Sequence, residues 1–599
     1  MIMSEQVKDP LIFETSYRKD TAAHLDEEIE KRYPGKYHEQ ELLTDYPTVY
    51  IIDNQGKQSD YKEDYTVYVG ETIDIQRRTL EHLDADPETR EDWEELRNAK
   101  NAHMFVIGHE HFNKSLALDI ENRMMQYLSS VDVISKLNNR RENAQRKYYT
   151  SEEFIPIFNR IWDKLGENKQ YRNLFPPRQL LEKSAIFKAS PFNKLTDEQN
   201  QAKKKILKTV EQALAKNQTG QLVLVTGEAG AGKTVLMSNI FYELAKQDHL
   251  NAVMMVNHPQ QLKVYQQIVK KLGIGDDETV IKPSRFINRY DENHQADVAF
   301  IDEAHLLWTQ QNQGYHGHGN NQLLDILKRA KVVLAVYDHK QVLTADEIME
   351  NEDWQHLKRL AGDKVIRLKN QMRIAASDET IRWIRDFVDQ RRIYPIPVDD
   401  SYDLQIFDDP RAMEQAIARF NAEDHGHGIS RMVATFDWKY SSSKPKDGSY
   451  WCVKDGSYWC VSEGNWSMPW NLQLKSNVKK INGVKYSDLS WAEQPHTIHE
   501  IGSTYTVQGF DLNHVGVVIG PSVKYRDGKV IFDPSASANK KAVQRRTMKD
   551  HSKQRFGEQL LHNELNVLLT RGVHGLYLHA VDPQLQAALK RAALGQRRN

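Results

Sequence analysis

Four apolar runs, LVLVTG (222–227), NAVMMVN (251–257), DVAFID (297–302) and VVLAVYD (332–338), alternate with longer stretches of helical spacing. Runs this short, bounded by turn residues, read as strands buried on both faces, and the alternation predicts a parallel sheet covered by helices. A second round follows in KVIRLKN (364–370), RMVATF (431–436), GVVIG (516–520) and GLYLHA (575–580). Nearer the start the rhythm differs. From YPTVYIID (46–53) to YYT (148–150) it runs strand, loop, strand, helix, the strand HMFVIG, and a helix from about Asn113, a compact α/β unit.

These patterns divide the chain into a polar leading arm (1–40), a small α/β domain (41–150), a helical linker (151–195) and two P-loop-type parallel-sheet domains (196–365 and 366–599). The linker carries Pro176, Pro177 and Pro191. Near 440–470 the octapeptide KDGSYWCV occurs twice in tandem, at 446–453 and 454–461, each copy with an Asp-Gly turn signal ahead of a strand, which predicts a β-hairpin insertion.

At 599 residues several domains are expected, and 39% hydrophobic with 27% charged residues is ordinary for a soluble chain. No run reaches the roughly 18 apolar residues of a membrane helix, and the opening MIMSEQVKDP is not a signal peptide, so no membrane partner is expected. Two cysteines, Cys452 and Cys460, make neither a disulfide framework nor a zinc site, and a reducing cytoplasm fits them best. A net charge of −2 excludes a global polyanion signal. Local basic patches remain at 138–147, 202–208 and 539–555, each a candidate nucleic-acid contact or simply a solvated face.

The strand-loop-helix QLVLVTGEAGAGKTVLMSNIFYELA is a phosphate cradle. Gly227, Gly230 and Gly232 let backbone N–H groups converge on phosphate, Lys233 brings charge to the β- and γ-phosphates, and Thr234 offers a hydroxyl to Mg²⁺. Downstream, DVAFIDEAH delivers Asp302 for the same metal and Glu303 to polarise water. Other pieces keep the order of a superfamily 1 helicase: Gln199 in LTDEQNQA, Asp338 and Gln341 in VYDHKQ, Gln371 and Arg373 in LKNQMR, Gln508, Gly509 and Asp511 in TVQGFD, and Arg571 in LLTRG. From about 190 to 585 the chain resembles the Schlafen group 3-like DNA/RNA helicase domain. That resemblance implies two RecA-like domains with ATP and Mg²⁺ between them, Gln199 reading adenine, and Arg373 and Arg571 reaching the γ-phosphate from across the cleft.

In the small domain, TVY (48–50) and YVG (68–70) resemble the paired tripeptides of the GIY-YIG nuclease family. Arg78 lies eight residues after Gly70 and His82 four further on, one helix face apart. Glu121, in NKSLALDIENRMMQYL, matches the family's metal-binding glutamate, and Asn138, Asn139 or Asn143 its later asparagine. The resemblance implies a Mg²⁺ on Glu121, Arg78 against the scissile phosphate, and Tyr50 as base with Tyr68 or His82 beside it. Thr48 stands in place of the first glycine, and the 18 residues from Tyr50 to Tyr68 imply a longer hairpin than is usual in the family.

Three readings follow. The first is an ATP-driven motor on nucleic acid, DNA favoured over RNA, with a tethered endonuclease, by analogy in bacterial defence. The second is a helicase-nuclease of repair or recombination. The third is an ATP-switched nucleic-acid clamp whose nuclease domain is inactive. A homo-oligomer or a defence-system partner protein stays open.

Overall fold

Every residue of the run Tyr65–Thr72 is buried, as expected of a strand covered on both faces. This computed structural model describes residues 8–55, 64–84, 95–99, 101–138, 148–182, 184–228, 230–310, 321–369, 371, 373–423, 429–441, 458–481, 484–486 and 489–594. The chain divides into two compact units, residues 1–194 with 264–277, and residues 195–263 with 278–599.

The first unit is built on one sheet of β1 (Leu11–Ser16), β2 (Thr48–Gln55), β3 (Tyr65–Thr72), β4 (Ala102–Gly108) and β5 (Ile134–Asn138), in the order β1-β4-β2-β3-β5. Its neighbours are antiparallel except β3 and β5. Helices α1 (Lys19–Ala23), α2 (Leu25–Arg32), α3 (Tyr37–Thr44) and α4 (Ile75–Leu83) contribute to a core that takes Tyr50, Ile52, Tyr68, Met104 and Val106 from the sheet and Leu25, Ile29, Leu43 and Ile75 from the helices. The alternate residues Val49, Ile51, Val67 and Val69 are buried on the other face. Helix α5 (Lys114–Ser129) packs on β2, β3 and α6 (Phe154–Glu167). Asn113 starts α5, its side-chain oxygen accepting the Leu116 N–H at 3.0 Å.

In the second unit, one six-stranded parallel sheet comprises β6 (Gln221–Gly227), β7 (Ala252–Met255), β8 (Val280–Ile281), β9 (Ala296–Ile301), β10 (Ala330–Tyr337) and β11 (Val365–Leu368), ordered β11-β6-β10-β9-β7-β8. A second parallel sheet comprises β12 (Asp403–Ile406), β13 (Arg431–Ala434), β18 (Ile501–Gly502), β19 (Leu512–Ile519) and β24 (Gly572–Ala580), ordered β12-β24-β19-β13-β18. Two-stranded hairpins complete the unit: β14–β15 (Cys460–Glu463 with Trp466–Pro469), β16–β17 (Lys480–Ile481 with Val484–Lys485), β20–β21 (Val523–Arg526 with Lys529–Phe532) and β22–β23 (Arg545–Thr547 with Lys553–Arg555). The helices that matter below are α7 (Asp197–Ala215), α8 (Lys233–Ala245) and α9 (Gly557–Leu569).

Several expectations change. Residues 11–44 are no free arm: β1 closes the edge of the first sheet and three helices follow it. Helix α2 hides its core contact in a charged octapeptide, LDEEIEKR, where only Leu25 and Ile29, four apart on one helix face, are buried. KVIRLKN, expected in the second round of strands, differs: Val365–Leu368 pairs in parallel with Leu224–Gly227 of the first sheet. An apolar run announces a strand without announcing its sheet. Cys460 is disulfide-bonded rather than an unpaired thiol. The first KDGSYWCV copy lies outside the described residues. Among the described residues no helix is long and apolar enough to cross a membrane.

Candidate functional site

Two clusters of the expected residues form, one in each unit. In the first unit, β2 and β3 lie in register so that Tyr50 faces Gly70 and Ile52 faces Tyr68. The pairing leaves no room at Gly70, where a Cβ would stand 2.4 Å from the Tyr50 hydroxyl. Helix α4 begins at Asp74, whose carboxylate accepts the Arg77 N–H at 2.9 Å. One face of α4 then offers Arg78 and His82. The His82 ring centroid lies 5.5 Å from that of Tyr68 and 5.9 Å from that of Tyr50, and the two tyrosines are 5.9 Å apart. The Tyr50 hydroxyl and the Arg78 Nε are buried and make no well-formed hydrogen bond. Burial, then the neighbouring Tyr68, pushes the Tyr50 phenol well above its ordinary pKa, and Arg78 pulls only partly the other way. At neutral pH Tyr50 is therefore a protonated donor, which limits the expectation of a resting general base.

Glu121 is buried on α5, the helix packed against β2 and β3. Asn138 is the strand neighbour of Tyr68 in the β3–β5 pair. Asn139 and Asn143 lie outside the described residues. Among the described residues no three His, Cys, Asp or Glu side chains gather into a metal cage. Sequence reasoning missed Glu71, a fully buried carboxylate next to Gly70 that receives Lys114 Nζ at 2.5 Å.

In the second unit the loop from β6 to α8 turns at Gly230 (φ +88°) and Gly232 (φ +71°). At Gly230 any side chain is excluded twice, by the left-handed backbone and by Arg373, whose Cβ would lie 2.7 Å from an added Cβ. Lys233 Nζ curls back onto its own loop, donating to the carbonyls of Gly227 at 2.7 Å and Glu228 at 2.8 Å, and pairs with Asp338 at 3.3 Å. Burial would raise the Asp338 carboxyl, but the Lys233 ammonium beside it holds it below its ordinary pKa. Thr234 follows on the same helix, half-buried.

At the end of β9, the buried Asp302 accepts the Glu303 N–H at 3.1 Å. Glu303 adopts φ +54°, rare for a side-chain-bearing residue, and such outliers concentrate at functional sites. Its carboxylate lies 3.3 Å from His305 Nε2. His305 is fully enclosed, so burial lowers its pKa and keeps it neutral. Gln199 does not point freely into a base pocket. Its side chain completes the capping box of α7 with Thr196 and donates to the Gly232 carbonyl at 3.2 Å.

The segments after β10 and β11 and the strands of the second sheet supply the remaining groups. Arg571, at the end of α9, is fully buried and donates to Gln341 Oε1 at 3.2 Å. Gln341 in turn donates to Asp338 at 2.8 Å. Burial, then the like charge of Arg373, pulls Arg571 down to about 9. Arg373 pairs with Asp511 at 2.5 Å and keeps a buried Nη1 without a hydrogen bond. Gln371 accepts the Ile374 N–H at 3.0 Å. Gln508 donates to the Gln341 carbonyl at 3.1 Å, and the Gly509 carbonyl accepts from Gln261 at 3.4 Å. Sequence reasoning missed His305 and Gln261. For the first, the signal was its place directly after Asp-Glu-Ala; for the second there was none.

A profile of the Schlafen group 3, DNA/RNA helicase domain matches residues 220–582. A Saccharomyces cerevisiae chain described as uncharacterized protein YPL245W is 30% identical over 459 residues, spanning 69% of this chain and 94% of its own length. Among solved structures, the Pif1 helicase from Candida albicans aligns at 12% identity with a TM-score of 0.26, over 66% of this chain and 98% of that one. A likeness that loose carries no argument.

Proposed function

The chain belongs to the Schlafen group 3 DNA/RNA helicase domain family, and on that premise we propose that it is an ATP-driven motor on nucleic acid, DNA in preference to RNA, carrying a Mg²⁺-dependent GIY-YIG-like endonuclease. The observation that carries the motor half is the run of contacts Lys233–Asp338–Gln341–Arg571, which links the phosphate loop of one sheet to an arginine of the other.

The residues fit a nucleoside triphosphate. Gly230 and Gly232 place no Cβ over the loop, and among the described residues Lys233 holds loop carbonyls and Asp338, partners it can exchange for phosphate oxygens. Thr234 and Asp302 would hold Mg²⁺, and Glu303 would orient water. ATP with its metal supplies the phosphoanhydride whose hydrolysis drives the motor. At the junction of the two sheets Arg571 is held by Gln341, so taking up a γ-phosphate requires it to let that partner go, while Arg373, paired with Asp511 through Nε, keeps Nη1 for the phosphate. Relative movement of the sheets follows from that exchange.

For the cutter, Glu121 would hold Mg²⁺ with water and phosphate as the other ligands, and Arg78 would meet the phosphate. Tyr50, protonated at rest, acts as a base only if its proton leaves through Tyr68 or His82. The same burial favours the alternative in which the small domain docks on nucleic acid without cutting it. A defence setting rests on analogy, and a yeast relative shows that such chains are not confined to bacteria.

Cleavage of supercoiled plasmid with Mg²⁺, with and without ATP, tests both halves. Nicking that Glu121→Ala loses while its ATPase persists supports the endonuclease. Nucleic-acid-stimulated ATP turnover with intact plasmid in every lane would leave the motor and sink the cutter.

A further inference from the structure

The three basic patches of the sequence part company in the structure. The 138–147 patch lies almost wholly outside the described residues. In the 202–208 patch, Lys203 is mostly enclosed and paired with Glu243, and Lys205 reaches the Asp363 carbonyl at 3.5 Å, which leaves Lys204 and Lys208 exposed. The third patch is different. Residues 540–555 hold seven Lys or Arg against one acid, in a chain of net charge −2, and they fold into the β22–β23 hairpin and the turn of helix ahead of it.

Strand alternation splits this hairpin into an inner and an outer face. Arg546 points inward, with no exposed side-chain surface. It donates to Thr309 Oγ1 at 2.9 Å, to the Ala345 carbonyl at 2.8 Å, to the Thr309 carbonyl at 3.2 Å, and to the Ile348 carbonyl. Lys549, at the turn, pairs with Asp353. The outer face carries Arg545, Thr547, Lys553 and Arg555, all exposed. Among the described residues, the side chains of Arg545, Lys553 and Arg555 make no hydrogen bond or ion pair. Arg545 also lies directly across the ladder from Arg555. Like charges opposite one another weaken a hairpin, so the fold tolerates a repulsive cationic face on a two-stranded element pinned from behind.

We propose that this outer face, Arg545, Lys553 and Arg555, binds the phosphate backbone of the nucleic acid on which the motor works. The identity of the polyanion rests on the motor reading above; the existence of a fixed, unneutralised cationic face does not. A backbone contact needs cations held at a spacing, without base-reading geometry, and a pinned hairpin provides it. Each phosphate neutralised releases counterions, so the contact has a signature that separates it from folding.

The test is fluorescence anisotropy of a labelled single-stranded DNA across a salt series, comparing the native full-length chain with R545Q/K553Q/R555Q. Three lost phosphate contacts should weaken binding and flatten the slope of log affinity against log salt by about 2, at roughly 0.7 per contact. ATP turnover measured without nucleic acid should not change, which reports an intact fold. If the triple variant loses that basal turnover, R555Q alone decides, with an expected flattening of about 0.7. K203Q, at a lysine already paired with Glu243, should leave the slope as it was. An unchanged slope in both hairpin variants overturns the proposal and spares the motor. A native chain that turns over ATP yet binds neither DNA nor RNA overturns both. Binding to phosphatidylserine vesicles that the variant loses, with DNA binding intact, also overturns it.

Discussion

The two candidate sites meet their resting charge to different degrees. Around the phosphate loop every key cation has an internal stand-in for phosphate: carbonyls and Asp338 for Lys233, Asp511 for Arg373, Gln341 for Arg571. Around Gly70 the charge is met only in part: Arg78 reaches Glu81 at 3.3 Å, but its Nε and the protonated Tyr50 hydroxyl are buried without a well-formed hydrogen bond. The motor cations Lys233 and Arg571 must therefore exchange internal partners for their ligand, whereas a ligand at the tyrosine site would meet the Tyr50 hydroxyl and Arg78 Nε without displacing a well-formed bond.

The sharpest way to break this contrast is Lys233→Ala. Removing a preorganised cation should lower ATP turnover by about 10²–10³-fold or more while leaving metal-dependent plasmid cleavage without ATP intact; persistent turnover would end the motor assignment. Next is Gly70→Ala, whose Cβ overlaps Tyr50. It should destabilise the first unit by about 1–3 kcal/mol, read as a lower urea midpoint for that unit, and an unchanged midpoint would show that Tyr50 is free to move. Asp338→Asn should free Lys233 and tighten Mg²⁺-free nucleotide binding by about tenfold, the worth of one charge-assisted hydrogen bond. Equal affinity would mean that Asp338 does not restrain the lysine.

The smallest effect is on pH dependence. Glu564, buried on α9, accepts the Phe436 N–H at 2.9 Å, and burial, then the Asp437 charge, pushes it up to about 8. A carboxyl whose folded pKa lies above its unfolded value contributes its full stability below the unfolded pKa, near 4.5, and loses it as pH rises towards 8. Stability of the second unit should therefore fall across that window, and Glu564→Gln should flatten the fall. A slope that the variant leaves untouched would assign it to other groups.

Much of this was legible because the motifs are local. The phosphate loop, the Asp302–Glu303 pair and the Arg78–His82 spacing depend on neighbours within ten residues, and the structure puts each beside its expected strand or helix. What was not legible depends on distance along the chain. The Lys233–Asp338 pair joins residues 105 apart, and nothing local reports that Gln199 would be taken up by its own helix cap. The edge strand Leu11–Ser16 escaped for a related reason: its partner lies about 90 residues on, in Ala102–Gly108, and a six-residue run beside charged helices carries no mark of which sheet it completes. The assignment of KVIRLKN failed on the same point.

The ladder of the β22–β23 hairpin has one more consequence. Side chains there alternate with a period of two, so losing or gaining a single residue between Arg545 and Thr547 would exchange the inner and outer sets. The clamp on Thr309, Ala345 and Ile348 would turn to water, and a residue with no acceptors prepared for it would turn in. Substitutions on the outer face should therefore be tolerated by the fold, while changes of length by one are not. In related chains, loop-length variation here should be confined to the turn at 548–551 or come in steps of two.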